Sequence, residues 1–195
     1  MSLIKWSLAD PPLTEKGEEQ CALLRENLIS TFSDKIDNTE DVAIVVSPMR
    51  RTMQTAMLAL GWLVERGVKI DGNADWQVNL SSVDPLWPDK TSPSAERYWY
   101  TKKSILARGQ RALEDLKKRP EKLIFVVSHA GFLRLGVAGY WFFNSDYRVF
   151  DFEDKGIKQR EETKAGGMGL SFTETVELGL DLPEEDPGYD AVAKA

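Results

Sequence analysis

Histidine and cysteine each occur once in this chain of 195 residues, as His129 and Cys21. A single cysteine excludes an internal disulfide. One cysteine and one histidine cannot supply the ligands of a zinc site, so no metal and no cofactor is expected. No apolar run approaches the roughly 20 residues that a membrane-spanning helix needs. The opening MSLIKWSLADPPLTEKG does not read as a secretory leader, because Asp10, Pro11 and Pro12 break its short apolar patch. A reducing, cytoplasmic setting is the expectation. A basic stripe is also lacking. Residues 151–195 hold 12 acids and 5 bases and carry −7, whereas the other 150 residues carry +1. Nucleic acid is therefore excluded as a partner, and a small-molecule ligand is expected instead.

What is present suits a folded domain: 42% of the residues are hydrophobic and 10% aromatic. Thr14 can cap a helix running from Glu15 to about Ile29, with Cys21, Leu24 and Leu28 on one face. DVAIVV (41–46) is a β-branched apolar run, the pattern of a strand buried on both faces. SPMRRTMQTAMLALGWLVERG follows as a helix, with Ser47 suited to the cap, Pro48 to the first helical position and Gly67 to the stop. A third helix is predicted from about Pro93 or Ala95 to Lys118. LIFVVS (123–128) is a second buried strand, leading into a helix from Gly131 to about Phe142. YRVFDF (147–152) alternates like an edge strand, and GLSFTETVEL (169–178) is a further strand candidate. One domain over 1–180 is expected, with an acidic, flexible tail over 181–195.

Strands alternating with helices predict an α/β fold, a three-layer sandwich whose mainly parallel sheet carries helices on both faces. Ligands bind beyond the carboxyl ends of such strands. Two strand-to-helix junctions, VVSPMRR and VVSHAGF, fall at that edge. Arg51 and His129 are the candidates there for contact with phosphate or carboxylate, because guanidinium and imidazole both donate to oxyanions. Ser47 reads mainly as a helix cap whose hydroxyl can also face the pocket. Arg134 divides between ligand contact and a structural role, Arg50 is placed on the surface, and Cys21 in the core.

DPPLTEKGEEQ (10–20), SPMRRTMQTA (47–56), VVSHAGFLR (126–134) and NSDYRVFDF (144–152), in this order and spacing, resemble the histidine phosphatase (phosphoglycerate mutase-like) superfamily in its small fungal or plant-type members. The resemblance covers most of the chain and implies the phosphoglycerate mutase-like sandwich. It also implies a nucleophilic histidine in an Arg-His-Gly motif upstream of DPPLT, where the nine residues MSLIKWSLA contain neither His nor Arg. The family's mid-chain acid would fall near DWQVNLS (75–81), at Val78 or Asn79. Arg51 and His129 match the family's arginine and its second, non-nucleophilic histidine. The expectation is a member without phosphohistidine chemistry, repurposed for proton transfer by His129 on an anionic or phenolic molecule in an isomerase-, cyclase- or lyase-like step. Two alternatives stand beside it: an inactive binding module, and an N-terminally shortened form of an active phosphatase. The family's insertion over the pocket corresponds to a lid over 71–100. Its Trp76, Trp87, Tyr98, Trp99 and Tyr100 either cover the core or stack on the ligand, and Asp84 and Asp89 are replacement acids. Since the family's first strand is central to its sheet, residues 2–8 or a second copy in a homodimer must fill that place.

Overall fold

The computed structural model of the protein describes residues 11–71 and 100–185. Residues 2–8 lie outside that range, as do Trp76, Asp84, Trp87, Asp89, Tyr98 and Trp99.

Helix α1 spans Glu15–Phe32, and the Thr14 hydroxyl accepts from the Gly17 amide as its cap. Cys21, Leu24, Leu28 and Phe32 are its buried side chains, at the spacing of one helical face. Strand β1 (Val42–Val46) follows and is buried at every position. Helix α2 (Arg50–Glu65) ends before Gly67, whose φ of +98° is a left-handed conformation that glycine accepts without steric cost. A short β2 (Ile70–Asp71) pairs with β1. Helix α3 covers Lys102–Lys117, capped by Thr101; the expected start near Pro93 or Ala95 lies outside the described residues. Strand β3 (Leu123–Val127) leads into α4 (Ala130–Phe132), which widens to a π-helical turn over Leu133–Ala138. That helix stops at Gly139, whose left-handed φ of +72° ends it three residues short of Phe142, and a side chain there would meet the Val176 carbonyl.

The sheet has the order β2-β1-β3, with all pairings parallel. Its two faces carry separate cores. Val42 and Ile44 of β1, with Leu123, Phe125 and Val127 of β3, pack against α1 and α2. Val45, Ile124 and Val126 face the opposite way, against Ile105 and Ala112 of α3 and Phe132 of α4. The alternation of a strand thus sorts one apolar run onto two helical layers. This is the expected three-layer α/β sandwich. Strand β3, expected to be fully buried, is half-exposed along its whole length. Among the described residues it has a neighbour on one side only, which accounts for the difference.

The C-terminal segment departs further from expectation. Strand β4 (Phe150–Glu153) forms an antiparallel hairpin with β5 (Gly156–Gln159), separate from the main sheet and starting three residues after Tyr147. Residues 169–178 form no strand; one bridge joins Tyr140 to Thr175. Side chains take the backbone groups that a ladder would use. The Asp146 carboxylate accepts from the amides of Met168 (2.8 Å) and Leu170 (3.1 Å) and from the Ser171 hydroxyl (2.7 Å). Arg148, 8% exposed, donates to the carbonyls of Trp141, Lys164 and Phe172.

On the far side of the sheet, Arg119 bonds Glu121 (2.9 Å) and Asp71 (2.8 Å), tying the end of β2 to the entry of β3. The same guanidinium holds the Glu121 carboxyl below its ordinary pKa.

Helices α3 and α4 approach through two glycines. A Cβ on Gly109 would collide with the backbone carbonyl of Gly136. Backbone cannot swing aside as a flexible side chain does, so Gly109→Ala must separate the helices. Overpacking of this kind costs about 1–3 kcal/mol or more. Urea unfolding of this variant should show a loss at or above the top of that range, whereas an unchanged midpoint would contradict the close approach.

Candidate functional site

The register of the sheet brings the two junctions together. Val46 pairs with Val127, and the ladder runs one step further as the Ser47 amide donates to the Val127 carbonyl at 2.9 Å. Ser47 and His129 therefore leave neighbouring parallel strands at the same edge. The Ser47 oxygen lies 3.0 Å from His129 Nε2, and Arg51 Nη2 lies 3.3 Å from His129 Nδ1. Ser47 is buried, whereas Arg51 and His129 are half-exposed and Ala130 and Gly131 are open to solvent.

The expected cap at Ser47 is not what forms. Helix α2 begins at Arg50 with Met49 as its cap, and the Met49 side chain makes no capping hydrogen bond. The Ser47 hydroxyl is occupied by the imidazole instead. Thr52 fixes this turn by donating toward the carbonyls of Ser47 (2.6 Å) and Met49 (2.7 Å). Arg51 is thereby held on the first turn of α2, facing the ring from the side opposite Ser47.

A guanidinium carries donors and no acceptor. His129 Nδ1 must therefore accept from Arg51, which places the proton of the neutral ring on Nε2, directed at the Ser47 oxygen. This assignment follows from hydrogen-bond logic. It has a chemical consequence. A serine is activated when the imidazole accepts its proton, and here the imidazole donates, so Ser47 is not set up as a nucleophile. Arg51 also approaches the Met49 sulfur at 3.8 Å through the same Nη2, leaving Nε and Nη1 without a protein partner among the described residues. The N-terminus of α2, the remaining Arg51 donors and the Nε2 proton all present donors. Such an edge complements negative charge.

The other candidates separate cleanly. Arg134 lies with its guanidinium carbon 4.6 Å from the centre of the Trp141 ring, and its buried Nε has no hydrogen-bond partner among the described residues. Its contact is a stacking one, apart from the Ser47–Arg51–His129 set. Cys21 is fully buried beside Thr55 and Ser145, each at 3.7 Å. Arg50 is exposed on the outer side of α2. There it helps line a groove of about 640 Å³ with Met53, Met57 and Leu58, which includes none of the three site residues. Among the described residues, no group of three or more histidine, cysteine or acidic side chains is placed to hold a metal.

The direct Ser47–His129 contact has a signal in the sequence that composition and capping preference do not use. That signal is the repeated Val-Val-Ser ending of both strands, which in a parallel pair places Ser47 beside Ser128 and next to His129.

A parallel sheet carrying an arginine and a histidine at the ends of two adjacent strands defines a class with its site at the carboxyl edge. The family model of the histidine phosphatase superfamily (branch 1) matches residues 6–146, and the chain belongs to that superfamily. Among solved structures, that of the open reading frame Rv3214 from Mycobacterium tuberculosis is similar at 17% identity and a TM-score of 0.45, covering 76% of this chain and 82% of its own. No curated protein matches the chain.

Ser47→Ala removes the acceptor of the Nε2 proton from a half-buried ring. An unsatisfied polar group of this kind costs about 1–3 kcal/mol. The variant should melt at a lower temperature than the parent in calorimetry; equal melting would show that the hydroxyl does not hold His129.

Proposed function

We propose that the Ser47–Arg51–His129 edge binds the phosphate or carboxylate of a small organic molecule, and that His129 exchanges a proton with it rather than taking up a phosphoryl group. The observation that carries this reading is the Arg51 contact to Nδ1. It fixes the imidazole with its proton on Nε2, held by the Ser47 hydroxyl, and leaves two further nitrogens of Arg51 for an oxyanion among the described residues.

In this reading Ser47 holds the Nε2 proton until a ligand oxygen replaces the hydroxyl. The imidazole then donates to the bound anion, and Arg51 supplies charge-assisted bonds beside it. Net proton transfer from Nε2 runs from the imidazolium, formed when Nδ1 takes a proton as Arg51 turns to the bound anion, and it leaves the neutral ring. Phosphohistidine chemistry needs one imidazole as nucleophile and the superfamily's second one as partner, and these 195 residues hold a single histidine. The aromatic composition of residues 75–100 supports a ligand with a ring rather than a bare sugar phosphate.

A second reading, a binding module without turnover, draws support from the engagement of both ring nitrogens by protein groups. His129→Ala separates the two: it abolishes activity in the first reading and leaves the biological role intact in the second.

Isothermal titration with inorganic phosphate and with benzoate tests the site itself. The parent protein should bind phosphate, and benzoate reports whether a ring-bearing carboxylate competes for the same edge. Arg51→Ala should weaken that binding roughly 10- to 100-fold, the equivalent of losing a charge-assisted contact of about 1.5–3 kcal/mol. Hydrolysis of p-nitrophenyl phosphate should stay at background. Turnover dependent on His129 would overturn the proton-transfer reading, and binding indifferent to Arg51 would overturn the site.

A further inference from the structure

Tyr100 stands out among the residues not used so far. It is 57% exposed, yet its hydroxyl lies where it would be only 3.3 Å from a Cβ on Gly131. Gly131 is two residues beyond His129, in the first turn of α4. The phenol thus reaches from the start of α3 to Gly131 at the start of α4, and Gly131 is open to solvent.

Its base is firmly held. The next residue, Thr101, is buried, caps α3 by accepting from the Ser104 amide, and donates to the Ser104 hydroxyl at 3.1 Å. The Lys102 amide donates to the Pro183 carbonyl at 2.9 Å. Helix α3 is locked against α4 by the Gly109–Gly136 approach. An exposed ring on a fixed stem, with its hydroxyl over a glycine, is ordered without being buried.

From this placement we infer that Tyr100 is a specificity-determining residue of the site, its hydroxyl donating to the anionic group of the ligand from the α4 side while Arg51 and His129 act from the strand side. The inference rests on the reading of Ser47, Arg51 and His129 as an anion site. Gly131 belongs to the same device: lacking a side chain, it leaves the room that the hydroxyl uses. Tyrosine suits the position because its hydroxyl can donate to an oxyanion without adding charge. Its rigid ring also costs little conformational freedom on binding.

Titration of the full chain with inorganic phosphate decides the matter, using Tyr100→Phe, Gly131→Ala and the double variant, with melting temperatures recorded alongside. Tyr100→Phe removes one oxygen and should weaken phosphate binding roughly three- to ten-fold, at an unchanged melting temperature. Gly131→Ala shifts the hydroxyl by a few tenths of an ångström and should give a smaller loss, which the double variant should not add to that of Tyr100→Phe. If the parent binds phosphate in an Arg51-dependent way and Tyr100→Phe binds equally well, the role of Tyr100 is refuted and the site stands. If the parent binds no phosphate, the anion site itself is refuted and Tyr100 with it.

Discussion

The parallel register of β1 on β3 is the constraint from which the site follows. Val46 against Val127 and the Ser47 amide on the Val127 carbonyl fix how far each chain runs before it turns. A shift of one residue would invert the faces of β3, moving Phe125 out of one core and Val126 out of the other. That slip is opposed by apolar packing on both sides of the sheet. The geometry of His129 is therefore secured by the core rather than by the site's own polar contacts, which are few and half-exposed. Arg51 depends on the same register at one remove, since the turn carrying it starts from the end of β1 and is fixed by Thr52 on the Ser47 carbonyl.

Beyond α4 the chain is organised differently. Here the order comes from two polar side chains that satisfy backbone groups directly. Asp146 gathers the amides around 168–170, and Arg148 gathers carbonyls from three separate stretches. Arg148 is paired with no carboxylate in these bonds, and burial lowers its pKa from the usual value. A guanidinium accepts such a setting because its five donors can all be matched by carbonyl oxygens. The nearby rings of Tyr140 and Phe142, with centres 5.0 and 5.5 Å from its guanidinium carbon, add cation–π attraction. A segment rich in acids is thereby held against the domain without a strand of the main sheet.

The contrast explains what was legible in the sequence. Val42–Val46 and Leu123–Val127 were readable because apolar β-branched runs have few alternatives to a buried strand, and the α1 face showed in Cys21, Leu24 and Leu28 for the same reason. The order of junctions pointed to Arg51 and His129. What escaped were choices decided by tertiary contacts. Ser47 looks like a cap until a histidine from another strand takes its hydroxyl. GLSFTETVEL alternates like a strand, but Asp146 and Arg148, distant in sequence, claim its backbone groups. Arg134 has the right residue type near the site, yet its guanidinium settles on Trp141, a contact that periodicity does not reveal. The glycine contact of Gly109 with Gly136 is likewise invisible until the two helices are seen together.

Arg51 orients one imidazole, and a single histidine makes that orientation directly measurable. Long-range proton–nitrogen correlation spectra of the uniformly labelled protein contain one side-chain imidazole at neutral pH. With Arg51 donating to Nδ1, the spectrum should show a neutral ring carrying its proton on Nε2, and Arg51→Ala should allow the other tautomer or the charged ring to gain ground. Added phosphate should shift the Nε2 resonance more than that of Nδ1. A ring protonated on Nδ1 in the parent protein, or one unaffected by Arg51→Ala, would contradict the arrangement on which the proposed function rests.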